Sequence, residues 1–219
     1  MSLEPTPIPP DLAAYVDRHF SGRDEALRLV EEETAALGDL AVMQTDPGQA
    51  ALLEMLARVS GAQRAIEIGT FTGYGAIRIA RGLGEDGTLL CCELDPERAK
   101  TARANLERAG VGDRVQIQVG PAIATLRALP ADPFFDFAYL DADKTGYPDY
   151  YEELITRLRP NGLLAIDNVL MGGRVLNPDP GDEGALAVAE LNDRITADRR
   201  VDSVLLGMAD GLTLVRRRV

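Results

Sequence analysis

Along the chain, the spacing of apolar positions changes once, near residue 62. Before that point the apolar side chains recur at helical intervals. Leu27, Val30, Thr34 and Leu37 mark part of one side of a helix predicted over 24–37. Leu52, Leu53, Leu56 and Val59 do the same for the next helix. An earlier helix is predicted over 11–20. The punctuation agrees with these readings. Gly38 stands where a C′ residue would stop the second helix. Asp46 reads as an N-cap, with Pro47 at N1 and Gln49 at N3, and Gly61 closes the third helix. These three helices, about residues 1–62, are expected to form a cap over a sheet that follows.

From Arg64 onward, short apolar runs alternate with helical segments. Strands are predicted over 65–68, 88–92, 115–119, 135–140, 163–166, 203–206 and 212–215. Helices are predicted over 74–83, 96–109, 121–129, 148–158 and 183–197. Such alternation gives a parallel sheet with helices on both faces. Only the stretch from Gly207 to Gly211 separates the last two strands. That is too short for a parallel crossover, so they form an antiparallel hairpin at one end of the sheet. The expected fold class is α/β: a Rossmann-like, doubly wound, seven-stranded sheet, mostly parallel. No repeat, linker or low-complexity stretch interrupts it. One domain is expected, with residues 63–219 as its α/β core.

Composition narrows the partners. Hydrophobic residues make up 46% of the 219 positions, enough for a sizeable core. No apolar run approaches the roughly 20 residues of a membrane helix. The start, Met1 to Pro10, is Pro-rich and lacks the basic, apolar pattern of a signal sequence, so a cytoplasmic location is expected. Cys91 and Cys92 are adjacent in a predicted strand, so they face opposite sides and offer no disulfide framework. A net charge of −12 argues against a nucleic-acid partner. His19 is the only histidine, which excludes a multi-histidine metal site.

The chemistry gathers at predicted strand ends, where doubly wound sheets bind ligands. After the first strand come Gly69, Gly73 and Gly75, a turn that lets backbone approach a nucleotide-like ligand at a helix N-terminus. Phe71 and Tyr74 stand where a dinucleotide fingerprint needs glycine. With Glu67 two residues before the first glycine, the stretch suits a cofactor carrying ribose and a cationic amino-acid end. Glu93, about 24 residues beyond Gly69, is placed to accept from ribose hydroxyls, while Asp95 reads as a helix cap. Gly120-Pro121-Ala122 makes a sharp turn that could flank a base. Asp141, Asp167 and Asn168 follow adjacent strands. They are either three hard oxygen ligands for Mg²⁺, Ca²⁺ or Mn²⁺, or acids that cap helices.

The chain resembles the cation-dependent O-methyltransferases of the caffeoyl-CoA and catechol type, within the class I S-adenosylmethionine-dependent methyltransferases. The resemblance rests on Met43-Gln44-Thr45 with Gly48-Gln49, on Glu67 to Tyr74, and on Glu93. It continues in Gly120-Pro121-Ala122, in Phe135-Asp136-Phe137 leading to Asp141-Ala142-Asp143-Lys144, in Asp167-Asn168, and in Asp210 to Leu214. These run in order over about residues 37–217. The resemblance implies S-adenosylmethionine contacts at Met43, Thr45, Glu67, Gly69, Thr70, Phe71 and Gly75. It implies further contacts at Glu93, Leu94, Gly120, Ala122, Asp141, Asp143 and Tyr150. Asp141, Asp167 and Asn168 would hold a divalent cation, Mg²⁺ first among candidates. Asp141 would lie near the methyl donor, and Lys144 would be the general base or orienting group. Tyr147 and Tyr150 would flank the reacting groups or simply pack a helix face.

Two departures stand out. Gly75 replaces a frequent family serine. Met171 and Gly172 stand where the plant enzymes carry Trp-Asn. The implied acceptor is a small phenol whose vicinal oxygens chelate the cation, which acidifies the reacting hydroxyl before in-line attack on the sulfonium methyl. A homodimer is implied as well. The alternatives are a methyltransferase for a hydroxylated tRNA nucleoside, a non-catalytic cofactor binder, and a nicotinamide-dependent oxidoreductase.

Overall fold

A computed structural model describes residues 9–219. The reading of the Pro-rich start as leaderless falls almost wholly on residues 1–8, outside the described residues. Three helices come first: α1 (Pro10–Asp17), α2 (Glu25–Ala35) and α3 (Pro47–Val59). The alternating part follows as β1 (Arg64–Ile68), α4 (Tyr74–Gly82), β2 (Thr88–Glu93), α5 (Pro96–Arg108), β3 (Val115–Val119) and α6 (Ala122–Ala128). It continues through β4 (Phe135–Leu140), α7 (Tyr147–Arg157), β5 (Leu158–Asp167), α8 (Glu183–Ala197), β6 (Val201–Leu206) and β7 (Leu212–Arg217).

The seven strands form one sheet in the order β3-β2-β1-β4-β5-β7-β6. The first five in that order are parallel. β7 runs antiparallel to both β5 and β6, so the hairpin ends the sheet as expected. The strand order reverses between β1 and β4, and the crevice at their carboxyl ends is where a doubly wound sheet takes its ligand.

Each face of the sheet buries its own core. Ile66, Ile68, Leu140 and Ile166 pack against α7 and α8 through residues such as Leu154 and Val188. Ala65, Phe137 and Tyr139 pack with Leu53 of α3 and Ile77 of α4 on the other face. Alternation along β2 sends Cys91 to the second core and Cys92 to the first, and both thiols are free. The N-caps read from the sequence are made. Asp46 Oδ1 accepts from Gln49 N at 2.9 Å, and Asp95 Oδ1 accepts from Glu97 N at 2.8 Å.

Three expectations need correction. α1 stops at Asp17 and buries none of its residues, so only α2 and α3 cover the sheet. Gly38, at φ 65°, does not end α2, which stops at Ala35; it opens a 3₁₀ turn, Gly38–Met43. β5 begins at Leu158, five residues before the predicted start: Leu158 pairs with Phe135, the chain bulges through Asn161 at φ 68°, and regular pairing resumes at Leu163 opposite Phe137. Among the described residues no helix is long and apolar enough to cross a membrane.

Candidate active site

β1 and β4 are in register with Ile68 opposite Leu140, so Gly69 and Asp141 leave the sheet side by side. Asp141 N donates to the Ile68 carbonyl at 2.8 Å. Gly69 has φ 89°, and a Cβ there would collide with the Asp141 carbonyl oxygen. Only glycine meets both demands.

The turn after Gly69 is organised by a side chain from β2. Glu93 Oε2 accepts from Thr70 N at 3.2 Å and from Phe71 N at 2.8 Å, while its Oε1 accepts from Asp95 N at 3.0 Å. This holds Phe71 at φ 50°. A carboxylate offers about four lone-pair sites, so Glu93 can still accept from a ligand hydroxyl.

Between these strand ends lies a cavity of about 900 Å³. Of the residues singled out from the sequence for ligand, metal or catalysis, all but Glu67, Gly73 and Tyr147 line it. Thr45 and Met43 enter from the segment before α3. Gly69, Thr70, Phe71 and Gly75 come from the turn and α4. Glu93 and Leu94 end β2, and Gly120 and Ala122 bracket the start of α6. Asp141, Asp143, Lys144 and Tyr150 follow β4, with Asp167 and Asn168 after β5. His19 is exposed, bonds the Tyr15 carbonyl through Nδ1 at 2.6 Å and takes no part.

Glu67 sits in the wall behind Gly75. A Cβ on Gly75 would come within 2.7 Å of Glu67 Oε1 and 3.3 Å of Thr45 Oγ1. Where the family often carries serine, the Glu67 carboxyl here occupies the room that a Cβ would need. Glu67 is fully buried, and burial pushes its carboxyl up to about 8, against the hydrogen bond from Cys91. Cys91 Sγ lies 3.4 Å from Glu67 Oε2, and no cation pairs with this acid among the described residues. A buried acid waiting for a positive partner fits a ligand with an ammonium end.

The other end of the cavity carries a linked polar set. Lys144 Nζ donates to Asp141 Oδ1 at 2.9 Å and to Tyr147 Oη at 2.6 Å. Tyr147 Oη in turn donates to the Asp167 carbonyl at 3.1 Å. Tyr147 is buried, does not line the cavity and is tied to Lys144 by the hydrogen bond from Nζ. Asp167 Oδ2 accepts from Tyr139 Oη at 2.6 Å, and its Oδ1 accepts from Asn168 N at 2.6 Å. Burial, then the charge of Asp141, pushes the Asp167 carboxyl up to about 6. Tyr150 Oη donates to Asp143 Oδ1 at 2.8 Å, and both line the cavity.

Among the described residues no cluster of three or more His, Cys, Asp or Glu side chains is present. Asp141, Asp167 and Asn168 make a smaller set, two carboxylates and an amide on one wall. Hard oxygen donors, and an acid whose proton affinity is raised by its neighbour's charge, fit a small divalent cation. Asn168 reaches this wall with φ 53°, a conformation that asparagine tolerates.

Some cavity residues carried no sequence signal. Val42 precedes Met43, Arg98 lies on α5 with its guanidinium 5.4 Å from the Phe71 ring centroid, and Ala209 comes from the β6–β7 turn. Gln49 had one: a fully buried glutamine on an otherwise apolar helix face. Its Nε2 donates to Tyr139 Oη at 3.2 Å.

A family model described as O-methyltransferase matches residues 18–218. The chain belongs to the O-methyltransferase family. Caffeoyl-CoA O-methyltransferase 2 of Zea mays is 37% identical over 220 residues, covering 94% of this chain and 83% of the relative. Catechol O-methyltransferase of Mycobacterium tuberculosis is 39% identical over 178 residues, covering 80% and 79%. Among solved structures, an O-methyltransferase from Bacillus cereus in complex with SAH superposes with a TM-score of 0.88 at 30% identity, covering 95% of this chain and 97% of that one. TomG, an O-methyltransferase from Streptomyces achromogenes in complex with SAM, gives 0.88 at 31%, covering 95% and 96%. The expected Rossmann-like sheet and the expected class, an S-adenosylmethionine-dependent O-methyltransferase, both stand for this member of the family.

Proposed function

We propose that this O-methyltransferase moves the methyl group of S-adenosylmethionine to a hydroxyl of a small catechol-like or hydroxycinnamoyl-type phenol, with a divalent cation, Mg²⁺ first, at the acceptor end. One observation carries the reading. Asp141, Asp167, Asn168 and Lys144 share one cavity with the glycine turn and Glu93. Glu67 and Thr45 would hold the ammonium end of the cofactor, Glu93 its ribose, and Ala122 with Tyr150 its base. Asp141, Asp167 and Asn168 would hold the cation. When bound, the cofactor supplies an electrophilic methyl and the cation acidifies the acceptor hydroxyl.

Lys144 is set to take the proton. Asp141 and Tyr147 hold its Nζ at the acceptor end of the cavity, where it would take the proton or orient the acceptor. Tyr139 fixes Asp167 so that its carboxylate cannot rotate. The rest of the work is alignment and exclusion of water.

A methyl-transfer screen over catechols, flavonoids and hydroxycinnamates tests the reading. Turnover is expected with a vicinal diol, is lost in excess EDTA and returns with Mg²⁺. Lys144→Ala is expected to slow it about 100- to 10,000-fold. Turnover that survives EDTA would remove the cation from the mechanism, and transfer only to isolated hydroxyls would remove the chelating acceptor.

A further inference from the structure

The glycine turn is held by Glu93 on its β2 side, and a second grip reaches it from outside the cavity. α2 turns Leu27, Val30 and Thr34 inward. Two of the three are apolar. The third faces Thr72, the residue before Gly73. Thr34 is 2% exposed and Thr72 is 3% exposed, and Thr34 Oγ1 donates to Thr72 Oγ1 at 2.9 Å. One helical turn earlier on α2, Glu31 Oε1 accepts from Tyr74 Oη at 2.6 Å. Asn105 of α5 completes the hold by donating to the Thr72 carbonyl at 2.9 Å. The two α2 contacts straddle Gly73, at φ 88°, where the turn becomes α4. Thr72 and Tyr74 line the cavity; Thr34 and Glu31 do not.

A buried hydroxyl pair is satisfied in one geometry only, whereas an apolar pair tolerates several. The turn has glycine at both ends and so has many conformations available when unrestrained. We propose that Thr34 and Glu31 are positioning residues for cofactor binding. They fix the turn from α2, so that the ordering cost falls on folding and not on association. The proposal rests on the cofactor reading above.

Calorimetric titration of the full-length protein with S-adenosylhomocysteine tests it. Thr34→Val is expected to weaken binding about fivefold. Thr34→Ser, which keeps the hydroxyl, is expected to restore most of that loss. Thr72→Val is expected to match Thr34→Val, and the double variant to bind no more weakly than either single one. Tyr74→Phe is expected to show a loss of the same order through the Glu31 contact, and it decides the matter if Thr34→Val does not fold. Variants that bind like the parent, or losses that multiply in the double variant, overturn the proposal. A parent protein that fails to bind S-adenosylhomocysteine overturns the cofactor reading instead.

Discussion

Glu67 is the acid whose charge the fold controls most. Burial pushes its carboxyl from an ordinary 4.5 up to about 8. Between those values the folded chain keeps a proton that the unfolded chain has released. The folded state then binds more protons, so stability falls as pH rises through this window, by about 5 kcal/mol in all. Asp167, pushed up to about 6, tilts the lower part of the window the same way. The unliganded protein is expected to need less urea to unfold at pH 8 than at pH 5, and Glu67→Gln to remove most of that slope. A slope that persists in Glu67→Gln would assign the titration elsewhere. A ligand ammonium favours the ionised acid, so S-adenosylhomocysteine binding at pH 6–7 is expected to release a proton, measurable by calorimetry in buffers of different ionisation enthalpy. The sequence placed Glu67 correctly beside the turn. It could not show that Glu67 stands behind Gly75, nor that Glu93 already serves three backbone N–H groups, because both depend on side-chain directions set by neighbouring strands.

At the scale of elements, α3 and α4 form the layer that supports the turn. Leu53 of α3 is fully buried between them and the sheet. Leu53→Ala is expected to cost about 3 kcal/mol, read as a Tm lower by about 6–12 °C. A drop under 2 °C would mean that the helix collapses into the space. Most of these elements were legible because apolar period and capping residues agreed. The exceptions share a cause. The polar start of β5 and the 3₁₀ turn after α2 are stabilised by what they pack against, which local pattern does not record. α1 shows the reverse. Its helical spacing is real, but none of its residues finds a core to join.

For the whole molecule, two cores on opposite faces meet only through the sheet, and the cavity lies across its carboxyl edge. A ligand there bridges β1, β2, β4 and β5. S-adenosylhomocysteine at 100 times its Kd is expected to add about 2.7 kcal/mol and raise Tm by roughly 5–10 °C, while NADH leaves it unchanged. A rise with NADH would favour a nicotinamide site. The part of the cavity proposed to take the methyl donor was readable because turn, acid and small residues each follow a strand. The rest of the lining was less so, since Val42 and Ala209 sit on connections whose positions only the tertiary structure fixes. The contact of Gly69 with the Asp141 carbonyl has a practical consequence. It welds the tip of the first strand to the tip of the fourth, so those ends tolerate no redesign. The connections 42–45 and 207–211 are free of that weld. Grafting 207–211 from a relative, with Met43 and Thr45 kept, is the route by which acceptor preference can be re-engineered while the proposed methyl-donor contacts stay in place.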